Sequence, residues 1–209
     1  MIQTTTVMNM KTMMRACLAK QAMAIMETDD EKDNKLWNIL GELAEGSRVI
    51  VFANTKRRVE NLARTFGEFG TCSVHGDKQQ REREAALADF VANKRPLMVA
   101  TDVAARGLDI KLVTHVINYD MARDVESYVH RIGRTGRAGR AGEAVTFFTE
   151  GDVEQLRAIA NVMKASGCEV PEWMLKLKPL KKAKRRRLEA QPRARKAIRK
   201  RRDELEAGA

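Results

Sequence analysis

The stretch Val49-Ile50-Val51-Phe52-Ala53-Asn54-Thr55-Lys56 decides the fold. Its first five residues are all apolar, and the first three are β-branched. A strand with one wet face would alternate apolar and polar side chains. This one does not, so it reads as a short strand buried on both faces, as in a parallel sheet covered by helices. Asn-Thr-Lys stops the run. Thr55 stands where a helix N-cap belongs. Val59, Leu62, Ala63 and Phe66 then follow at helical spacing, closed by Gly67 and Gly70.

The same alternation extends in both directions. From Asp33, residues Leu36, Ile39, Leu40 and Leu43 share one helical face, and the expected end lies near Gly46. Downstream, Cys72 to His75 reads as a second strand. A helix follows with Ala86, Leu87, Phe90 and Val91 inward. Strands are expected at Leu97 to Ala100, Val113 to Asn118 and Ala144 to Phe148, with a helix around Ser127 to Arg131 before the last of them. A final helix begins near Asp152 and turns Val153, Leu156, Ile159, Ala160 and Met163 inward. Short buried strands alternating with helices predict the α/β class, an open parallel sheet with helices on both faces. Such sheets bind ligands outside the carboxyl ends of their strands. The polar residues fall at those ends: Asn54, Thr55 and Lys56; then His75, Gly76 and Asp77; then Thr101 and Asp102.

A second stretch carries the chemistry. Tyr128-Val129-His130-Arg131-Ile132-Gly133-Arg134-Thr135-Gly136-Arg137 holds three arginines and a histidine among its last eight residues, and no acid. Fixed guanidinium charge on a glycine-broken backbone suits a polyphosphate or a nucleic-acid backbone, because the planar fork matches phosphate oxygens.

These segments resemble, in order and spacing, the motifs of the DEAD-box ATP-dependent RNA helicases. His130-Arg131-Ile132-Gly133-Arg134-Thr135-Gly136-Arg137 is similar to motif VI. Val51 to Lys56 is similar to motif IV. His75-Gly76-Asp77 with Gln80 and Arg83 is similar to motif IVa and its Q-x-x-R pair. Ala100-Thr101-Asp102-Val103-Ala104-Ala105-Arg106-Gly107-Leu108-Asp109 is similar to motif V. The resemblance covers about residues 33 to 165 and implies the second of two RecA-like domains. It implies that Arg134 and Arg137 are catalytic and reach the ATP γ-phosphate, and that Asp109 and Gly107 bind nucleotide. It places Thr55, Gly76, Arg83, Thr101 and Arg106 at the RNA backbone, makes His130 the coupling residue, and assigns this half no metal ligand. Such contacts hold phosphates without reading bases. Plainer roles stand beside these: Thr55 and Thr101 as N-caps, Arg83 as a helix-surface partner of nearby glutamates, Asp109 as a turn residue. His75 and His115 are expected to be structural.

No G-x-x-x-x-G-K-[ST] loop and no Asp-Glu-Ala-Asp run occurs in the chain. The resemblance puts both on an N-terminal RecA-like domain, which would also hold Mg²⁺. The chain is therefore expected to be half of an ATP-driven machine and inactive alone. A different class also fits: a non-enzymatic RNA-binding or RNA-chaperone module working through a basic tail.

The charge supports that tail. Of 39 Lys and Arg and 28 Asp and Glu, residues 176–209 hold 15 and 4, which leaves 24 of each sign in the remainder. The whole net charge of +11 is thus in the last segment. Counterion release makes such a segment a non-specific RNA binder. Lys181-Lys182-Ala183-Lys184-Arg185-Arg186-Arg187 also fits a nuclear-localisation cluster, and the resemblance to basic-tailed helicases suggests ribosome biogenesis and pre-ribosomal or other RNP partners. Expected organisation is a Met-rich leader over 1–30, poorly ordered, then the RecA-like domain over 31–170, then a basic helical or disordered extension over 171–209. Seven of 11 methionines and no acid precede Glu27, so a mitochondrial presequence is an alternative to a nuclear, nucleolar or cytoplasmic address. Three scattered cysteines suit a reducing compartment. No apolar run is long enough to span a membrane.

Overall fold

The computed structural model describes residues 19–105, 110, 112–136, 142–165 and 170–178. Arg106, Gly107, Asp109, Arg137, the first 18 residues and the tail from 179 lie outside them.

Among the described residues six strands form one parallel sheet. They are β1 (Ala19–Ile25), β2 (Val49–Phe52), β3 (Thr71–Val74), β4 (Leu97–Ala100), β5 (His115–Asn118) and β6 (Gly142–Phe148), in the order β1-β6-β5-β2-β4-β3. Every pairing is parallel. The helices are α1 (Asp29–Gly41), α2 (Lys56–Thr65), α3 (Gln80–Val91), α4 (Asp102–Ala105), α5 (Val125–Ile132), α6 (Val153–Ala165) and α7 (Glu172–Leu175).

β2 lies inside the sheet between β4 and β5, and its four residues are all buried. Its pleat divides the core. Val49 and Val51 join Leu36, Leu40, Val59, Leu62 and Phe66 of α1 and α2 on one face. Ile50 and Phe52 join Val74, Phe90, Met98 and Val116 on the other. The unbroken apolar run thus reflects two packed faces rather than a helix. Caps set the helix starts: Thr28 accepts from the Glu31 N–H, and three acids in the first turn of α1 complement its dipole.

The structure corrects several expectations. Residues 19–30 are not a loose leader. Ala19–Ile25 pairs along its whole length with β6, Met23 packs into the cluster of α5 and α6, and Ala24 and Met26 pack into that of α1 and α2. Ala-Lys-Gln-Ala-Met-Ala-Ile has weak strand propensity. The ladder offered by β6 overrides it. α1 ends at Gly41 rather than near Gly46, which instead takes a turn conformation with φ 81°. Val91, expected inward, is 47% exposed, because Phe90 takes the buried position of that turn. β5 begins at His115, Val113 making only an isolated bridge to Thr135. The core also runs past residue 170: Met174 is buried, and Val170 and Leu177 pack against the same cluster.

Gly142 allows the last sheet connection. A Cβ there would overlap the Thr135 hydroxyl and the Gly136 backbone nitrogen. Thr135 Oγ1 lies 2.8 Å and 2.9 Å from the Val113 and Thr114 carbonyls, so it has little room to retreat. Gly142→Ala is expected to destabilise the chain by about 1–3 kcal/mol, as overpacking does. Denaturant unfolding measures it, and an unchanged midpoint would show that the 133–136 turn yields freely.

Candidate nucleotide and nucleic-acid interface

The carboxyl ends of β2, β3 and β4 carry the candidate residues, and one buried side chain ties them together. Arg131, on α5, is 1% exposed. It grips Asp102 with two bonds, Nε to Oδ1 at 2.6 Å and Nη2 to Oδ2 at 2.7 Å. Nη2 also donates to Asn54 Oδ1 at 2.8 Å, and Nη1 donates to the Asp120 carbonyl at 2.7 Å and to Asn118 Oδ1 at 3.4 Å. All five N–H donors of the guanidinium are used. The group lies 5.3 Å from the Phe52 ring centroid. A buried charge requires this degree of pairing.

Asn54 and Asp120 extend the lattice. The Asn54 N–H donates to Asp120 Oδ2 at 2.9 Å, and its amide nitrogen donates to the Met121 carbonyl at 2.8 Å. Asp120 Oδ1 faces Arg58 at 3.2 Å and the buried Lys32 at 3.6 Å. Arg58 forks onto Asp29 with two bonds of 2.9 Å. The Tyr119 hydroxyl donates to Asp33 Oδ1 at 2.7 Å. Burial holds the Asp33 carboxyl above its ordinary range, and burial beside that carboxyl pushes the Tyr119 phenol well up. Helices α1, α2 and α5 are thereby locked to the ends of β2 and β5.

Around this lattice stand the residues expected at the RNA backbone. Thr55 caps α2, its hydroxyl accepting from the Arg58 N–H at 3.2 Å. Its plainer role is therefore real, and a capping threonine still faces solvent at a helix N-terminus, where anions bind. Lys56 pairs with Asp77 and joins the loops after β2 and β3. Gly76 is exposed, and a Cβ there would meet only the Lys56 stem at 3.8 Å. The loop is held from below: Glu60 accepts from Ser73 at 2.9 Å and lies 2.8 Å from His75 Nε2, while the Asp77 N–H donates to His75 Nδ1 at 3.3 Å. Burial raises the Glu60 carboxyl, but the bonds from Ser73 and His75 together outweigh it and set it below its ordinary value. His75 is structural in this sense. Among the described residues Arg83 pairs with no glutamate. Nη1 donates to Gln80 at 3.3 Å and Nη2 to the Ala104 carbonyl of α4 at 3.5 Å, while its buried Nε has no partner among the described residues. Thr101 is buried, its N–H donating to Val74 and its carbonyl accepting from Ala105.

His130 and Arg134 lie beside Phe52, Asp102, Ala105 and Arg131 around a shallow depression with room for about one water, roughly 10 Å³. The Arg134 Nε–H donates to the His130 carbonyl at 3.3 Å, and both side chains are half-buried. His130 Nδ1 is buried without a hydrogen-bond partner among the described residues. A buried polar atom left unsatisfied beside an arginine is chemically suited to an anionic oxygen. Among the described residues no three His, Cys, Asp or Glu side chains converge on a metal position.

The sequence brought Arg134, His130, Thr55, Gly76, Arg83 and Thr101 to notice, and the structure places them along one end of the sheet. It gave Arg131 no separate part. The available signal was helical phase: Arg131 lies three residues after Tyr128 and next to Ile132, both fully buried.

A parallel sheet of this order, with basic and hydroxyl residues at its carboxyl ends and α5 tied to the end of β4, defines a RecA-like helicase domain. The model of the helicase conserved C-terminal domain family matches residues 31–139. The chain is 46% identical over 145 residues to DEAD-box ATP-dependent RNA helicase 20 of Oryza sativa subsp. japonica, covering 68% of this chain and 29% of that one. It is 50% identical over 142 residues to DEAD-box ATP-dependent RNA helicase 40 of Arabidopsis thaliana, covering 68% of this chain and 13% of that one. The solved structure of E. coli DEAD-box protein SrmB bound to regulator of ribonuclease activity A superposes with a TM-score of 0.64 at 35% identity, over 69% of this chain and 85% of that one. Prp28 from Chaetomium thermophilum bound to ADP gives 0.68 at 36% identity, over 75% and 39%. The chain belongs to the helicase C-terminal domain family, in its DEAD-box branch. It spans less than a third of the length of these curated relatives.

Proposed function

We propose that this chain supplies the second RecA-like half of an ATP-dependent RNA helicase. The observation that carries the proposal is the five-bond seat of Arg131. It fixes Asp102, at the start of the motif V segment, to the helix that leads into Arg134. RNA-side loops and the arginine rim then move as one body. Closure against a first RecA-like half sets Arg134 and Arg137 beside the γ-phosphoryl group, where their charge stabilises it in flight. Asp109 and Gly107 hold the nucleotide. Thr55, Gly76, Arg83, Thr101 and Arg106 hold the RNA sugar-phosphate backbone without reading sequence. His130 couples the two. Mg²⁺ belongs to the other half, where it would neutralise the phosphates. ATP and RNA bridge the halves, one strand is bent, a few base pairs open, and hydrolysis permits release. A nuclear address and a pre-ribosomal or other RNP target belong to the same proposal.

Phosphate release with saturating RNA and Mg²⁺ tests it. This chain alone is expected to stay at background, and RNA-stimulated turnover is expected when a first RecA-like half is supplied. Turnover by the chain alone, surviving stringent purification, refutes the division of labour. No turnover with a competent first half favours the non-enzymatic RNA-binding reading.

That second reading rests on the tail, and it gives its own expectation. Ending the chain after Lys178 removes 13 Lys and Arg and spares the packed Met174 and Leu177. Binding to single-stranded RNA is expected to weaken and its salt dependence to flatten, by roughly 0.7 to 0.9 in log–log slope for each phosphate no longer neutralised. Identical salt titrations of both chains would show that the tail tethers nothing.

A further inference from the structure

We propose that His75, held by Glu60, is a positioning residue for RNA: it shapes the turn after β3 so that the Gly76 amide and the Thr55 hydroxyl meet one sugar-phosphate backbone. The proposal rests on the reading of this chain as an RNA-binding helicase half.

The two ring nitrogens of His75 are used differently. Nε2 lies 2.8 Å from Glu60 Oε1, and the Asp77 N–H donates to Nδ1 at 3.3 Å. A carboxylate only accepts, so Nε2 carries the proton of the Glu60 bond and Nδ1 is left as a bare acceptor. This neutral tautomer alone makes both bonds. The His75 carbonyl also accepts from the Lys78 N–H at 3.2 Å, which closes the turn His75-Gly76-Asp77-Lys78. His75 thus takes the amides of Asp77 and Lys78. Among the described residues nothing accepts from the Gly76 N–H, and Gly76 is exposed. A turn amide left open in this way suits a phosphate oxygen.

Glu60 orients the ring. It lies on α2, five residues after the Thr55 cap. Its Oε1 also accepts from Ser73 Oγ of β3 at 2.9 Å and faces Lys78 Nζ at 3.5 Å. The ring is therefore tied both to the helix that Thr55 caps and to the strand that leads into Gly76. The two sites are adjacent, since the stem of Lys56, next to Thr55, comes within 3.8 Å of a Cβ built on Gly76. The pairing also settles the local charge. Glu60 is matched by His75 and Lys78, and Asp77 by Lys56, so neither acid stands bare against a phosphate. The Glu60 side chain is 40% exposed. Ion pairs at that exposure add little stability, which leaves orientation of the ring as its use.

His75→Asn and His75→Gln separate the two bonds. Asn can accept the N–H two residues on, as in an Asx turn, but cannot reach Glu60. Gln reaches Glu60 through its amide but has only carbon where Nδ1 stands. In an enzyme assembled from the full chain and a first RecA-like half, phosphate release is measured against the concentration of a uridine oligomer. His75→Gln is expected to raise the half-stimulating concentration about two- to tenfold, the worth of one hydrogen bond, with kcat at saturating oligomer changing less. His75→Asn is expected to stay within about twofold of native. Glu60→Ala, which releases the ring, is expected to match His75→Gln and to add little to it in the double variant, because both act through one amide. A merely structural histidine reverses the order: Asn, which loses both the Glu60 bond and the packing of the ring, is then the worse variant and melts earlier. Native oligomer dependence in both His75→Gln and Glu60→Ala, equal losses in Asn and Gln, or a fall in kcat at an unchanged oligomer requirement overturns the inference and leaves the helicase-half reading standing. No RNA stimulation of the native assembled enzyme sinks both. If His75→Gln fails to fold, Glu60→Ala, altered at a half-exposed side chain, still decides.

Discussion

Arg137→Ala, in an enzyme assembled from this chain and a first RecA-like half, is expected to lower kcat by about 10³ or more, the range for arginine fingers. Nucleotide KM should change less. The reason is where the charge acts. A guanidinium that meets the phosphoryl group only in the closed state stabilises the transition state more than the bound ground state, so its loss appears in kcat. Arg137 follows Gly136, whose φ is 66°, in the glycine-broken run that the resemblance assigns to the γ-phosphate. Arg137→Lys should rescue poorly, since an ammonium lacks the bidentate fork. The stability of the isolated chain should move by no more than about 0.5 kcal/mol, as for surface changes. Steady-state ATPase kinetics beside a melting curve check both halves of the expectation. Full activity in Arg137→Ala, or a collapsed melting temperature that explains the loss, would overturn the catalytic role.

Arg131→Met is expected to do the opposite: to cost stability first. The two side chains have similar length, but the substitution abandons Asp102, Asn54 Oδ1 and the Asp120 carbonyl in a largely dry site. Breaking a buried pair costs about 3–5 kcal/mol, or roughly 6–20 °C in Tm for a domain of this size. Asp102, 19% exposed in its side chain, retains some water and places the effect toward the lower end. Arg131→Lys should recover little, because one ammonium cannot fork onto Asp102 and also reach Asn54 and Asp120. Arg131→Met combined with Asp102→Leu should recover part of the loss, since removing both charges avoids an unpaired one. Denaturant unfolding of the four chains decides. An Arg131→Met chain as stable as the native one would mean that the lattice is dispensable, and would remove the structural basis for coupling between Asp102 and Arg134.

These two arginines, six residues apart in one glycine-rich run, show where reading a sequence stops. The run advertises phosphate chemistry through its charge density, and nothing in composition separates Arg131 from Arg137. The fold separates Arg131 from Arg134: α5 carries Arg131 inward under Phe52, while Arg134, just past the helix end, lies beside His130 at the rim. The Thr55 cap was legible because it is local; the local expectation that Arg83 pairs with neighbouring glutamates was not met. The reach of Arg83 to the Ala104 carbonyl was not legible, because it spans 21 residues.

The sequence by itself determined the α/β class, most of the strands and helices, and the end of the sheet where the candidate residues gather. Those follow from periodicity, and periodicity is a property of neighbours along the chain. Tertiary structure alone decided that Ala19–Ile25 is a strand, that Met174 belongs to the core, and that Arg131 is a fastener rather than a ligand. In each case the deciding partner is distant. β6 lies more than a hundred residues beyond β1, Phe148 lies 25 residues before Trp173, which stacks on it next to Met174, and Asp102 lies 29 residues before Arg131. Backbone hydrogen bonds, ring contacts and charge pairing stabilise a segment only once the fold has delivered the partner, and weak local propensity gives no sign of it beforehand.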